Sequence, residues 1–187
     1  LFFIKRKMDQ NIESNSHQRE VFAGLGFGQM NYLPGTLQEV NAIEKIVPAM
    51  NKITGTDMNE TQIKKMSAAG ELKQYKIIHL ATHGYSLEML PELSGVAMSI
   101  FEKPQNGEDG YLTAYEMMNL DMNADLVVLS ACETGLGQLV GGEGVNGLTR
   151  ALTIGGANRT LVSLWPVSDA GTMLFMTRFY ELVQNQG

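Results

Sequence analysis

Two residues with reactive side chains each end a short apolar run in this sequence. His83 ends KIIHLATH, and Cys132, the only cysteine of the chain, ends DLVVLSAC. A nearby imidazole can take the proton of a thiol and leave a thiolate, which is a strong nucleophile. The two residue types therefore predict a Cys–His dyad that attacks a carbonyl carbon, with His83 later returning the proton to the leaving group.

The runs before His83 and Cys132 are continuously apolar, which is typical of strands that are buried on both faces of a parallel sheet. Helical patterns separate the runs, so strands and helices alternate along the chain. Because sites in such sheets form at the carboxyl ends of the strands, we expect the imidazole and the thiol to share one edge. The glycines that follow predict turns leaving the sheet, and the N–H groups of Gly84 and Cys132 are the expected oxyanion donors.

Each of these two residues, taken alone, has a structural interpretation. A lone cysteine in an apolar run usually belongs to the core, and a lone histidine is usually a hydrogen-bonded structural residue. The spacing between His83 and Cys132 is close to the roughly 50 positions that separate the histidine and cysteine of caspase-type proteases. The two features together favour catalysis over a core role.

Three further residues are candidates for contact with a substrate. Asp169 follows the third apolar run, RTLVSLW, and is predicted at the same edge of the sheet, although an acid beside the helix N-cap Ser168 could equally serve the helix. Ser130 lies two positions before Cys132 and could line a substrate groove, although serine is common at strand ends. Glu143, within GGEG, could contact a substrate or organise its loop. The sequence leaves these alternatives open.

Metal and nucleotide sites are less favoured. His79 and His83 form an H-x-x-x-H pattern, but on a strand the two side chains lie too far apart to share one ion. Zinc held by Cys132, His83 and Glu133 is a weaker alternative to the dyad. GEGVNG (142–147) matches G-x-G-x-x-G, yet it does not directly follow a strand, as a dinucleotide site requires. We therefore expect no metal and no organic cofactor.

The composition is that of one soluble globular domain. The chain has 187 residues, of which 44% are hydrophobic and 18% charged. A net charge of −6 gives no general attraction to nucleic acid or to anionic membranes. A single cysteine rules out an internal disulfide framework and agrees with a cytoplasmic protein. No signal peptide and no apolar stretch of about 20 residues is visible, so we expect no membrane segment.

Local patterns predict the remaining elements. Residues 1–19 show no period and are expected to form a loose arm, whereas VFAGLGFG (21–28) has the character of a strand. Two T-x-x-E patterns predict capping boxes at the starts of helices, at Thr36 with Glu39 and at Thr113 with Glu116. Other expected elements are a helix over about 59–70, a hairpin over 95–113, a mobile glycine-rich loop over 135–147, a helix from about 145 and a final helix after Ser168.

Three long motifs resemble the CHAT family, whose members are caspase-like domains often joined to TPR repeats, in the clan of caspases and separases. The motifs are HLATHG, DGYLTAYEMMNLDMNADLVVLSACETGLG and GGEGVNGLTRALTIGGANRTLVSLWPVSDAGT, and the likeness runs from about Phe22 to Val183. The resemblance implies a caspase-hemoglobinase-like fold with three α/β/α layers and a mostly parallel sheet. It also implies that His83 and Cys132 are the catalytic dyad of a cysteine endopeptidase.

The same resemblance sets expectations for substrates and partners. It implies a protein or peptide substrate, and a TPR-repeat region or a regulatory protein as partner. Separases use an aspartate near the position of Asp169 to hold a basic residue before the scissile bond. Family domains usually continue past the helix that ends near Gly187, so we expect residues 20–187 to be a CHAT domain truncated at its C-terminus and regulated by flanking regions. The alternatives are a non-catalytic caspase-like signalling or scaffold module, and a transpeptidase that uses the same dyad.

Overall fold

The computed structural model describes residues 2–3, 34–87, 90–99, 108–133, 143–163 and 167–186. Within these residues the chain forms one mixed sheet of seven strands. The strands are β1 (Phe2–Phe3), β2 (Asn51–Lys52), β3 (Ile77–Tyr85), β4 (Gly95–Ala97), β5 (Tyr111–Thr113), β6 (Leu126–Glu133) and β7 (Thr160–Val162).

Strand β3 is the centre of the sheet. It pairs in parallel with β1 on one side and with β6 on the other, and β2 and β7 extend the parallel sheet at its two ends. The β3–β6 pairing is the longest, with register partners from Ile77↔Leu126 to Gly84↔Glu133. Near its carboxyl end β3 also pairs with the antiparallel hairpin β4–β5. The expectation of a mostly parallel sheet with a hairpin is therefore confirmed.

Helices cover both faces of the sheet. On one face, Val40 and Ile43 pack with Met176 and Tyr180 over alternate residues of β3 and β6. On the other face, three helices enclose a larger core that includes Leu80. The first face carries α1 (Pro34–Ile46) and α5 (Asp169–Gln186), and the second carries α2 (Glu60–Ala68), α3 (Ala114–Met117) and α4 (Glu143–Ile154). The result is the expected three-layer α/β/α fold.

The helix starts test the local predictions directly. Thr113 caps α3 in a complete capping box with Glu116, as predicted. The predicted capping box at Thr36 and Glu39 is wrong, because α1 begins at Pro34 and both residues therefore lie inside the helix. Both side chains are buried there, and the Glu39 carboxylate contacts the sheet instead of a helix terminus.

Several predicted segments lie wholly or partly outside the described residues. These include the VFAGLGFG strand, the tip of the hairpin, the first part of the glycine-rich loop, and the arm apart from β1. The last part of the glycine-rich segment, from Glu143 to Gly147, is helical and belongs to α4. No helix among the described residues is both long and apolar enough to cross a membrane.

Candidate active site

The backbone places the two candidate catalytic residues side by side. His83 on β3 and Cys132 on β6 are register partners in the parallel pairing, one position before its last pair. Neighbouring strands lie about 4.8 Å apart, so the two Cα atoms are close neighbours across the sheet. Residues that are 49 positions apart in the chain thus share the carboxyl edge of the sheet. The His83 side chain is described and buried, whereas Cys132 is described at its backbone alone.

Both residues occupy the sheet face that α1 and α5 cover. Side chains alternate between faces along a strand, so His83 shares a face with Ala81 and His79. Their register partners on β6 are Cys132, Ser130 and Val128. Ala81 and Val128 pack against residues of α1 and α5, which identifies the face.

The predicted oxyanion donors lie in strands and not in turns. Strand β3 continues through Gly84 to Tyr85, and β6 continues through Cys132 to Glu133. The expectation of turns leaving the sheet at these residues is therefore wrong. Gly84 lies where β3 pairs with β6 on one side and with Val96 of the hairpin on the other.

The three substrate-contact candidates lie at different places. Ser130 is buried, and its hydroxyl donates a hydrogen bond of 3.0 Å to Glu39 Oε2. Asp169 and Glu143 are the first residues of α5 and α4, and the structure does not describe their side chains. Ser168 caps α5 as predicted, since its Oγ accepts a 3.2 Å hydrogen bond from the N–H of Gly171.

A cavity of about 560 Å³ lies beside one of these candidates. It lies between β6, β7 and the first turns of α5, and Ser130 forms part of its wall. Ser168 and Gly171, which flank Asp169 in the sequence, line the same cavity. The rest of the wall is mainly apolar, with Leu129, Leu161, Val162, Val167, Phe175 and Met176 among its residues. The cavity can thus enclose a side chain with a long aliphatic part.

A buried polar network that the sequence analysis missed lies on the same face of the sheet. The Glu39 carboxylate contacts Ser130 through Oε2, and its Oε1 lies 2.9 Å from Nε2 of His79. The other ring nitrogen of His79, Nδ1, lies 2.9 Å from the hydroxyl of Tyr180. Burial, and then the charge of Glu39, raise the pKa of Tyr180 above its usual range. The sequence did contain one signal for this network, a histidine within the apolar run KIIHLAT, because a buried imidazole needs polar partners.

A second cluster of charged side chains lies at α2, beneath the other face of the sheet. Glu60, Glu108 and Glu116 have carboxylate oxygens within 4.8 Å of one another, close enough to surround a cation. The Lys64 ammonium contacts all three, at 2.7 Å from Glu116 and 3.4 Å from Glu60. Burial lowers the Lys64 pKa, but hydrogen bonds to Glu108 and Glu116 outweigh burial and raise it overall. Lys64 therefore already supplies positive charge to this cluster.

Comparison with known proteins places the chain beside one family. The CHAT domain family matches residues 6–187. Tetratricopeptide repeat protein 28 from Mus musculus is 39% identical over 74 residues, which is 40% of this chain and 3% of that protein. The Homo sapiens protein of the same name gives the same identity and coverage. The present chain thus spans a small fraction of the curated relatives that it matches.

Proposed function

This chain belongs to the CHAT domain family, and from that premise we propose that it is a cysteine endopeptidase in which Cys132 and His83 form the catalytic dyad. The observation that carries the proposal is the β3–β6 register, which makes these two residues direct partners at the carboxyl edge of the sheet. Sites of open α/β sheets form at this edge. A dyad also needs its two side chains within hydrogen-bond reach, and adjacent parallel strands bring register partners close enough for that.

The proposed reaction proceeds in two steps. His83 takes the thiol proton of Cys132, and the thiolate attacks the peptide carbonyl carbon, with the N–H of Cys132 as the proposed donor to the oxyanion. The C–N bond then breaks, and the proton on His83 goes to the leaving amine, which leaves a thioester acyl-enzyme. In the second step His83 takes a proton from water and the hydroxide attacks the thioester carbonyl carbon. The C–S bond then breaks, the proton on His83 returns to the Cys132 sulfur, and the acid product is released. These steps require neither a metal nor an organic cofactor.

We further propose that the cavity beside Ser130 binds the substrate residue before the scissile bond, and that Asp169 favours arginine or lysine there. The apolar wall fits the aliphatic stem of these side chains, which commonly pack their methylene groups against apolar surface. Glu143 is proposed to contact the substrate from the start of α4. Peptides that differ only in Arg, Lys, Met or Asp at this position test the preference. Equal cleavage of all four would contradict the role of Asp169.

The proposed context is a regulated cytoplasmic protease. A reducing compartment would keep the single cysteine as a free thiol. The names of both relatives refer to tetratricopeptide repeats. We therefore propose that a repeat region of this kind, or a regulatory protein, is the partner that controls the domain.

The test of the dyad is the rate at which iodoacetamide alkylates Cys132, measured against pH in the wild type and in His83→Ala. A free thiol with a pKa of about 8.5 is only about 1% thiolate at pH 6.5. We expect the wild type to react well below the free-thiol pKa, and His83→Ala to lose at least about tenfold in rate at pH 6.5. Identical profiles in the two proteins would refute the dyad.

A cleavage assay completes the test and separates a peptidase from a scaffold. Cys132→Ala is expected to abolish cleavage of protein and peptide substrates, because the nucleophile is lost. An irreversible peptide electrophile should label Cys132 of a peptidase at a rate that depends on the peptide sequence. Labelling that ignores the peptide sequence would favour the alternative, a caspase-like module that binds partners without catalysis.

A further inference from the structure

The buried carboxylate of Glu39 joins the two strands that carry the proposed dyad. Glu39 is 2% exposed, and it is carried by α1 at a distance of 91 positions from Ser130 in the chain. One carboxylate oxygen accepts a hydrogen bond from the Ser130 hydroxyl on β6, and the other lies 2.9 Å from Nε2 of His79 on β3. A single side chain thus contacts both strands on the same face of the sheet.

These contacts lie directly below the candidate catalytic residues. Ser130 is two residues before Cys132 on β6, and its register partner Ala81 is two residues before His83 on β3. Two residues along a strand correspond to about 6.6 Å. Ala81 presents only a methyl group on this face, which leaves room for the Glu39 carboxylate to reach both strands. The network and the proposed dyad are therefore consecutive layers of one face.

Tyr180 fixes the orientation of the histidine in this network. The Tyr180 hydroxyl lies 2.9 Å from Nδ1 of His79, and burial followed by the Glu39 charge raises the pKa of Tyr180, so the hydroxyl remains protonated. The other ring nitrogen, Nε2, lies 2.9 Å from Oε1 of Glu39. Tyr180 belongs to α5, so the chain of contacts runs from α5 through β3 to α1 and then to β6.

We propose that Glu39, His79, Ser130 and Tyr180 are positioning residues for the Cys132–His83 dyad, a role that rests on the proposed peptidase function. These residues act through β3 and β6 and do not contact the scissile peptide bond. The network links β6 at Ser130, one layer below the reacting groups, to β3 at His79, two layers below them. A displacement of about 1 Å between reacting groups can reduce a rate by about a hundredfold. A lost contact in the network should therefore change thiol activation more than it changes overall stability.

Two charge-neutral variants test this role. Ser130→Ala removes the contact from β6 to Glu39, and Tyr180→Phe removes the hydroxyl that holds His79. The matched control is Ser99→Ala, because Ser99 is equally buried and its hydroxyl donates to the Gly55 carbonyl, outside the network. The measurements are the melting temperature and the pH profile of Cys132 alkylation by iodoacetamide.

We expect all three variants to lower the melting temperature by a few degrees. Ser130→Ala and Tyr180→Phe should also shift the apparent thiol pKa toward about 8.5 and slow alkylation about three- to tenfold at pH 6.5. Ser99→Ala should keep the wild-type profile. Ser130→Thr retains the hydroxyl and should restore most of the rate that Ser130→Ala loses.

The outcomes separate this inference from the proposed function. If Ser130→Ala and Tyr180→Phe lower stability but keep the wild-type profile, the network is only structural and the inference is overturned. An equal shift in Ser99→Ala, or no recovery in Ser130→Thr, also overturns it. If the wild-type profile does not depend on His83, the dyad itself fails, whatever the network variants do.

Discussion

Replacing Glu60 by glutamine should stabilise the domain increasingly as pH rises. Glu60 is 1% exposed and accepts a hydrogen bond from the N–H of Gly110. Burial, the charge of Asp109, a hydrogen bond with Glu108 and the charge of Glu116 together raise the Glu60 pKa from 4.5 to about 9, against the opposing effect of Gly110. The carboxyl group is therefore protonated in the folded protein at neutral pH.

The sign of the effect follows from proton binding in the two states. Below a pH of 4.5, Glu60 is protonated in both the folded and the unfolded chain, so it contributes no dependence on pH. Between 4.5 and about 9 the folded chain holds one proton more than the unfolded chain. The free energy of unfolding then falls by at most about 1.4 kcal/mol per pH unit. From pH 6 to pH 8 the loss is about 2–3 kcal/mol, or roughly 5–10 °C in melting temperature for a domain of this size.

Glutamine reproduces the protonated carboxyl group without its titration. Its oxygen can accept from Gly110, and its NH₂ group can donate to Glu108. The assay is urea unfolding of the wild type and Glu60→Gln at several pH values between about 5 and 8. The stability difference should grow steadily with pH. The control is Glu44→Gln, since Glu44 is a more exposed carboxylate paired with Lys52 and should give a small difference that stays constant. The reasoning would be refuted if the free energy of unfolding changed with pH by the same amount in the wild type and in Glu60→Gln.

Two further predictions concern the backbone and a helix start. Gly156 and Gly70 both have positive φ, at 104° and 71°. A Cβ added at Gly156 would lie 2.1 Å from the Met122 carbonyl oxygen, whereas a Cβ added at Gly70 would have no neighbouring atom within 4 Å. In urea unfolding, Gly70→Ala should lower the free energy of unfolding by about 1–2 kcal/mol, and Gly156→Ala should lower it clearly more. Equal decreases in the two variants would contradict the steric argument. Thr113→Ala removes the side-chain cap of α3 and should lower the free energy of unfolding by about 1 kcal/mol in the same assay. An unchanged free energy would contradict the role of the Thr113 side chain as a cap.

The sequence predicted the features that depend on neighbouring residues. Continuous apolar runs identified β3 and β6, and the T-x-x-E pattern at Thr113 identified the start of α3. Ser168 was identified as the cap of α5. Each of these signals is carried by side chains a few positions apart, so it survives in any arrangement of the whole chain. The edge shared by His83 and Cys132 was expected for a related reason, because parallel strands bring their carboxyl ends to one side.

The same kind of pattern failed at Thr36 and Glu39, which look like a capping box but lie inside α1. Two arrangements compete for such a glutamate, a nearby helix terminus and a distant polar partner. Ser130 and His79 provide the distant partners here, and burial against the sheet makes these contacts stronger than a cap at the surface would be. The local pattern contains no information about that competition.

What the sequence determined by itself is the layered α/β architecture and the edge of the sheet that His83 and Cys132 share. What only the tertiary structure decided is which distant side chains surround that edge. Ser130 and Glu39 are 91 positions apart, and His79 and Tyr180 are 101 apart. Their contacts depend on the β3–β6 register and on how α1 and α5 pack over it. Periodicity specifies the face that a helix buries, but complementary packing of the whole core decides which polar atoms meet within it.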